Sequence, residues 1–118
     1  MKIEKFEDLT FWKESIDIST EIYKIFEWNK DTCFKWQICE ISTLIGSNIA
    51  QGFERRFEVE EFKKYLHNAS LYNSALRSIL YIWKDLWYII DQDFQKLYDK
   101  SVSVSKMIWG FFKTFKKD

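Results

Sequence analysis

The chain has 118 residues, of which 31% are charged, and its 18 basic and 18 acidic side chains cancel to a formal net charge of zero. That balance excludes a global attraction to nucleic acid or to an anionic membrane. The length suits one domain, residues 1–118, with a real core, and the lack of proline together with only three glycines argues against a many-turned β fold.

Taken in order, the N-terminus MKIEKFEDL lacks the apolar run of a signal peptide. No stretch approaches the ~18 apolar residues of a membrane span, so a cytoplasmic protein is expected. A first helix starts near Asp8, whose carboxylate suits a cap. Its apolar stripe is Leu9, Trp12, Ile16, Ser19, Tyr23 and Phe26. It ends at Trp28-Asn29-Lys30, a short polar connection that makes its successor an antiparallel neighbour. Asp31 or Thr32 caps the second helix, which runs to about Gly52 with Phe34, Ile38, Ile41, Ile45, Asn48 and Gly52 on one stripe. Gly52 suits the left-handed end of a helix, and Gly46, Ala50 and Gly52 together would let a neighbouring helix approach closely. Asn48 falls at a core position and calls for a buried hydrogen-bond partner. Cys33 and Cys39 point about 240° apart at ~100° per residue, which excludes their pairing and suggests two buried thiols.

A charged turn, Phe53 to Phe57, leads to the longest helix, about Glu58 to Asp91. One stripe is Phe62, Leu66, Ala69, Asn73, Leu76, Leu80, Trp83, Trp87 and Ile90. A second is Tyr65, Tyr72, Ala75, Ile79, Ile82, Leu86 and Ile89. Two adjacent stripes make a wider face than one partner helix covers. Lys63, Ser70, Arg77 and Lys84 recur every seven residues and read as a solvated polar side. The fourth helix runs from Gln92 or Asp93 to about Phe115. Its stripe is Phe94, Tyr98, Ser101, Ser105, Ile108, Phe112 and Phe115, although SVSVS at 101–105 alternates like a strand. The sum is an all-α, antiparallel up-down-up-down four-helix bundle. Aromatic residues at 19% exceed what four such helices shelter, so further subunits are expected on the aromatic-rich faces of the third and fourth helices.

Catalytic chemistry finds little to work with. His67 is the single histidine, and neither it nor the two cysteines are spaced as zinc ligands. Glu58, Glu60 and Glu61 invite comparison with the carboxylate helices of all-α nucleotide pyrophosphohydrolases. A magnesium site needs a second inward acidic pair, and Asp85 and Asp91 come singly. No glycine-rich phosphate loop is present. The reading is non-enzymatic, with no cofactor, metal or small-molecule substrate.

Binding residues are easier to nominate. Arg55 and Arg56, adjacent in a turn, would grip phosphates with forked hydrogen bonds, or else cap the second helix or pair with Glu54 or Glu58. Lys63, Lys64, Arg77 and Lys84 would extend that patch along the third helix. Among the six tryptophans, Trp28 and Trp36 lie near a loop and suit an exposed aromatic surface. Trp12, Trp83, Trp87 and Trp109 suit the core or a subunit interface.

NIAQGFERR followed by EEFKKYL is similar to the N-I-A-E-G-x-x-R and E-F-x-x-F-L signature of a bacterial family of four-helix-bundle proteins. These are the proteins encoded in intervening sequences of large-subunit ribosomal RNA genes, with the accessory variability determinant of diversity-generating retroelements among their relatives. Phe6-x-Asp8-Leu9-x-x-Trp12 resembles the family's N-terminal opening, and Gln37-Ile38 its Q-[LI] pair on the second helix. Asn48, Ala50, Gly52 and Phe62 fall on the signature. The resemblance implies a homopentamer without enzymatic activity. It also implies a partner in RNA, DNA, a reverse transcriptase or a ribosomal component; the alternative is a purely structural protein-interaction bundle. Cys39 and Glu40 stand where the family carries two arginines, and Leu71, Tyr72 and Ala75 replace its glycine-serine and glutamate, which removes the usual partner of Asn48.

Overall fold

Four helices account for most of the chain in a computed structural model that describes residues 3–117. They are α1 (Thr10–Ile25), α2 (Thr32–Glu54), α3 (Val59–Asp85) and α4 (Asp91–Phe112), with 3-10 turns at Phe6–Asp8 and Lys113–Lys117. Each helix packs on its neighbours in sequence, and α4 returns to α1. The result is an antiparallel up-down-up-down bundle of 48 × 20 × 20 Å. The α2–α3 turn lies at the same end as the start of α1 and the finish of α4. The other two turns share the opposite, distal end.

SVSVS is helical, inside α4. The helix buries Phe94, Leu97, Ser101, Val104 and Ile108 on one stripe, and a five-residue alternation does not outweigh that. α3 buries Phe62, Leu66, Ala69, Asn73, Leu76, Leu80 and Trp83, the first seven members of its expected stripe.

α1 differs from expectation. Ile16 and Tyr23 are exposed, while Phe11, Ser15, Ile18, Ser19 and Ile22 face inward. The serines explain the rotation. Ser19 Oγ donates to the Ser42 carbonyl of α2 at 2.9 Å, and a Cβ on Gly46 would lie 2.9 Å from Ser15 Oγ. Small residues on both helices let the backbones approach, so serine here behaves as a packing residue. Asp8 caps nothing in α1; it ends the preceding 3-10 turn, and Leu9 precedes α1 without a side-chain cap. Asp31 does cap α2, its Oδ1 accepting from the Phe34 amide at 3.2 Å.

α3 also stops earlier than the sequence suggests, at Asp85 rather than Asp91. Trp87 turns left-handed at φ 63°. Its amide donates to the Lys84 carbonyl at 3.2 Å, and the Tyr88 amide donates to that of Trp83 at 2.9 Å. That pair of bonds is a Schellman end, normally built on glycine. With tryptophan in the glycine position, no composition signal marked the stop. Trp87 and Ile90, expected on a core stripe, are consequently exposed at 92% and 64%.

The distal turns are tied together. Tyr88 Oη donates to Asp31 Oδ2 at 2.7 Å, and that bond holds the phenol above its ordinary pKa. Between α1 and α4, Glu21 accepts from Lys96 at 2.8 Å, a bond that raises the Lys96 ammonium pKa, and Glu21 also lies 3.6 Å from Lys100. Beneath the distal end Trp83 is fully buried with its ring 4.3 Å from that of Phe26, and its Nε1–H finds no acceptor among the described residues.

Candidate nucleic-acid interface

α2 continues through Glu54, so the turn between α2 and α3 begins only at Arg55. Arg55 is exposed, its guanidinium 5.7 Å from the centre of the Tyr65 ring. Arg56 is half-buried. Its Nη1 donates to the Phe53 carbonyl at 3.2 Å, its Nη2 reaches the Glu4 carbonyl at 3.5 Å, and its plane covers the Phe53 and Phe57 rings at 4.3 and 4.7 Å. The two arginines therefore divide the roles left open by the sequence. Arg56 closes the end of α2 and holds the start of the chain, and Arg55 projects. Neither pairs with Glu54 or Glu58 among the described residues.

The turn owes its tightness to Gly52. A Cβ there would sit 2.8 Å from Tyr65 Cβ and 3.3 Å from Phe62 Cδ1. Of the two roles the sequence offered, Gly52 is not a left-handed helix end but a point of close approach between α2 and α3. Phe62, opposite it, makes edge contacts with Phe53, Phe111 and Phe115 at 5.3–6.0 Å. Ala50 is half-buried. Asn48 is buried, and its Nδ2 donates to the Leu44 carbonyl at 2.8 Å, within its own helix. It does not bridge to α3.

The expected solvated side of α3 is instead its seam with α4. Lys63 Nζ lies 3.7 Å from Glu60 and 5.7 Å from the Phe115 ring. Ser70 is buried. Arg77 Nη1 donates to Ser101 Oγ at 3.0 Å and Ser105 Oγ at 3.1 Å, and Lys84 Nζ sits 4.7 Å from the Phe94 ring. Lys64 is exposed. At ~1.5 Å per residue, Arg77 lies about 21 Å and Lys84 about 32 Å along α3 from Lys63. Arg55, Arg56, Lys63 and Lys64 share the turn end of the bundle, and Arg77 and Lys84 lie outside that group.

The asparagine that joins two helices is Asn73, fully buried, which the periodicity had placed on an apolar stripe. Its Nδ2 donates to the Ser101 carbonyl and to Ser105 Oγ, both at 2.8 Å, and its Oδ1 accepts from Ser101 Oγ at 2.7 Å. Beside this cluster Lys106, Trp109 and Lys113 approach Arg77 around an open groove of about 410 Å³. The sequence reading missed that group, although steps of three and four set Lys106 and Trp109 on one face of α4 and Lys113 in line with them at its end.

Trp28 and Trp36 are exposed at 86% and 72%; Trp109 is half-exposed and Trp12 partly buried. Cys33 is exposed rather than buried, while Cys39 is buried and burial pushes its thiol above its ordinary value, with Lys35 acting weakly the other way. His67 is exposed. No three histidine, cysteine or acidic side chains gather as a metal site among the described residues. No helix among them is long and apolar enough to cross a membrane.

None of the curated proteins compared with the chain matches it. Among solved structures it is similar to a protein of unknown function from the S23 ribosomal protein family of Bacteroides thetaiotaomicron. Identity is 20% over 88% of this chain and 99% of that one, with a TM-score of 0.80, which supports the fold. The model of the 23S rRNA-intervening sequence protein family matches residues 7–110. With nearly its whole length matched, the chain belongs to the 23S rRNA-intervening sequence protein family.

Proposed function

We propose that the protein is a non-enzymatic, cytoplasmic accessory bundle that assembles with itself, five subunits being the first expectation. In this reading it binds nucleic acid, or a nucleic-acid-handling protein such as a reverse transcriptase or ribosomal component. The supporting observation is the α2–α3 turn. Arg56 and the Gly52 contact fix its backbone, and Arg55 and Lys64 stand exposed beside them. A preorganised turn presents its cations to phosphates at little entropic cost. A ring would repeat this small patch once per subunit and compensate for zero net charge.

A purely protein-interacting bundle is the second reading. It is favoured by the separation of Arg77 and Lys84 from the turn. Fluorescence anisotropy against duplex DNA, single strands and structured RNA, at low and at physiological salt, separates the two. Binding should weaken with salt by a log–log slope of roughly −0.9 per phosphate contact on duplex and −0.7 on single strands. Arg55→Glu with Lys64→Glu should cost at least about tenfold in affinity, since each change also reverses a charge. Absence of any binding by the unaltered protein at low salt would overturn the nucleic-acid reading and leave the second.

A further inference from the structure

We infer that the groove between α3 and α4 binds a nucleotide unit, its phosphate held by Arg77, Lys106 and Lys113 and its base stacked on Trp109. The ligand class is shared with the proposed function and rests on that reading; the residues are different ones.

Arg77 is the anchor. Its guanidinium is held by Ser101 Oγ at 3.0 Å, Ser105 Oγ at 3.1 Å, Ser74 Oγ at 3.3 Å and, more loosely, the Ser101 carbonyl at 3.5 Å. All these acceptors are neutral, so the cation is positioned without being neutralised. Asn73 holds the serines in turn: it takes the Ser101 hydroxyl proton on Oδ1 and donates to Ser105 Oγ, which leaves oxygen lone pairs for Arg77. A fixed, uncompensated guanidinium at a half-buried seam is a prepared anion site.

Across the groove Lys106 and Lys113 are exposed, with half-exposed Trp109 between them. Among the described residues no carboxylate lies within ion-pair distance of Arg77, Lys106 or Lys113. Gly110 lines the groove, and the space beside it is open, a Cβ there meeting nothing within 4 Å. About 410 Å³ falls at the small end of the ~300–1,000 Å³ typical of ligand sites, and suits one nucleotide rather than a duplex. Three cations select phosphate, and an indole face between two of them selects a flat ring. No side chain of the lining is arranged to read a base edge, so binding is tolerant of sequence.

The test uses the full chain at low salt, with labelled oligo-dT as probe and AMP as competitor. Oligo-dT should bind, and Trp109→Ala should weaken it roughly tenfold while Trp109→Phe retains most of the affinity. Lys106→Glu with Lys113→Glu should weaken it further and flatten the salt slope, with far-UV melting unchanged because both side chains are exposed. Displacement by AMP identifies a free nucleotide as sufficient ligand; strand binding that resists AMP identifies a strand. Groove variants that bind like the parent overturn the inference. If Arg55→Glu with Lys64→Glu then abolishes binding, the proposed function stands without the groove. If neither strand nor AMP binds the parent protein, both fail together.

Discussion

Trp87 stands where a helix end ordinarily takes glycine. Left-handed backbone costs a residue with a Cβ roughly 1–2 kcal/mol, and a ring 92% exposed recovers almost nothing by burial. Gly52 is the converse, a glycine whose use is absence of volume rather than freedom of φ. Substitution should therefore act oppositely at the two sites. Trp87→Gly should stabilise by about 1 kcal/mol, after allowance for the more flexible unfolded chain. Gly52→Ala should destabilise by about 1–2 kcal/mol, because its Cβ would meet Tyr65 Cβ at 2.8 Å and neither atom is the mobile end of a side chain. The overpacking outweighs the ~1 kcal/mol that alanine gains in helix propensity. Urea denaturation reads both, and equal signs at the two positions would contradict this account. The sequence displayed Gly52 as a special residue without revealing which helix it faces. Trp87 carried no signal at all, since tryptophan is not a turn former.

Two asparagines sit at core positions of adjacent helices, and periodicity alone treats them alike. What separates them is the register of α4, which brings Ser101 and Ser105 opposite Asn73 and nothing comparable opposite Asn48. Asn73→Leu removes the acceptor of the Ser101 hydroxyl and the support of Arg77, so a loss of about 2–3 kcal/mol is expected. Asn48→Leu should cost less than about 1 kcal/mol, because its bond is to a backbone carbonyl within its own helix. Chemical denaturation of the two variants side by side checks the ordering; equal losses would mean that the seam cluster adds nothing beyond burial. The same dependence on register explains the displaced basic stripe. Heptad spacing placed Lys63, Arg77 and Lys84 together correctly, but not the side of α3 on which α4 docks. In α1 the error had another origin, because Ser15 packs as a small residue while its type suggests solvent.

At the scale of the molecule, four helices, their order and their antiparallel course were legible, because long unbroken stripes and short polar connections leave few other topologies. The surface was less so, for it is what remains after packing. The sequence pointed to aromatic faces of α3 and α4 as the place of assembly. The fold buries Trp83, Phe94 and part of Tyr98, leaves Tyr81 at 50% and Trp109 at 52% exposed, and adds an aliphatic edge: Leu71 at 56% and Ile82 at 44% on α3, with Leu86 at 43% at its end.

By the ~100° step this edge lies about 120–180° around α3 from Arg77, on the side away from the α4 groove. An assembly built on it would leave the nucleotide groove open. Fully burying such a side chain is worth roughly 1.5–3 kcal/mol, so the exposed part of these three residues contributes about 2–4 kcal/mol to each contact, and the half-exposed aromatic rings must add the rest of what association costs. Light scattering coupled to size exclusion should show an oligomer at micromolar concentration. Leu71→Glu with Ile82→Glu should convert it to monomers that keep their helical signal, because neither side chain belongs to the buried core. A monomeric parent would remove the ring from the proposal. An oligomer untouched by the α3 variant but broken by Trp109→Ala would place the subunit contact on α4, where it would compete with the nucleotide for the same indole.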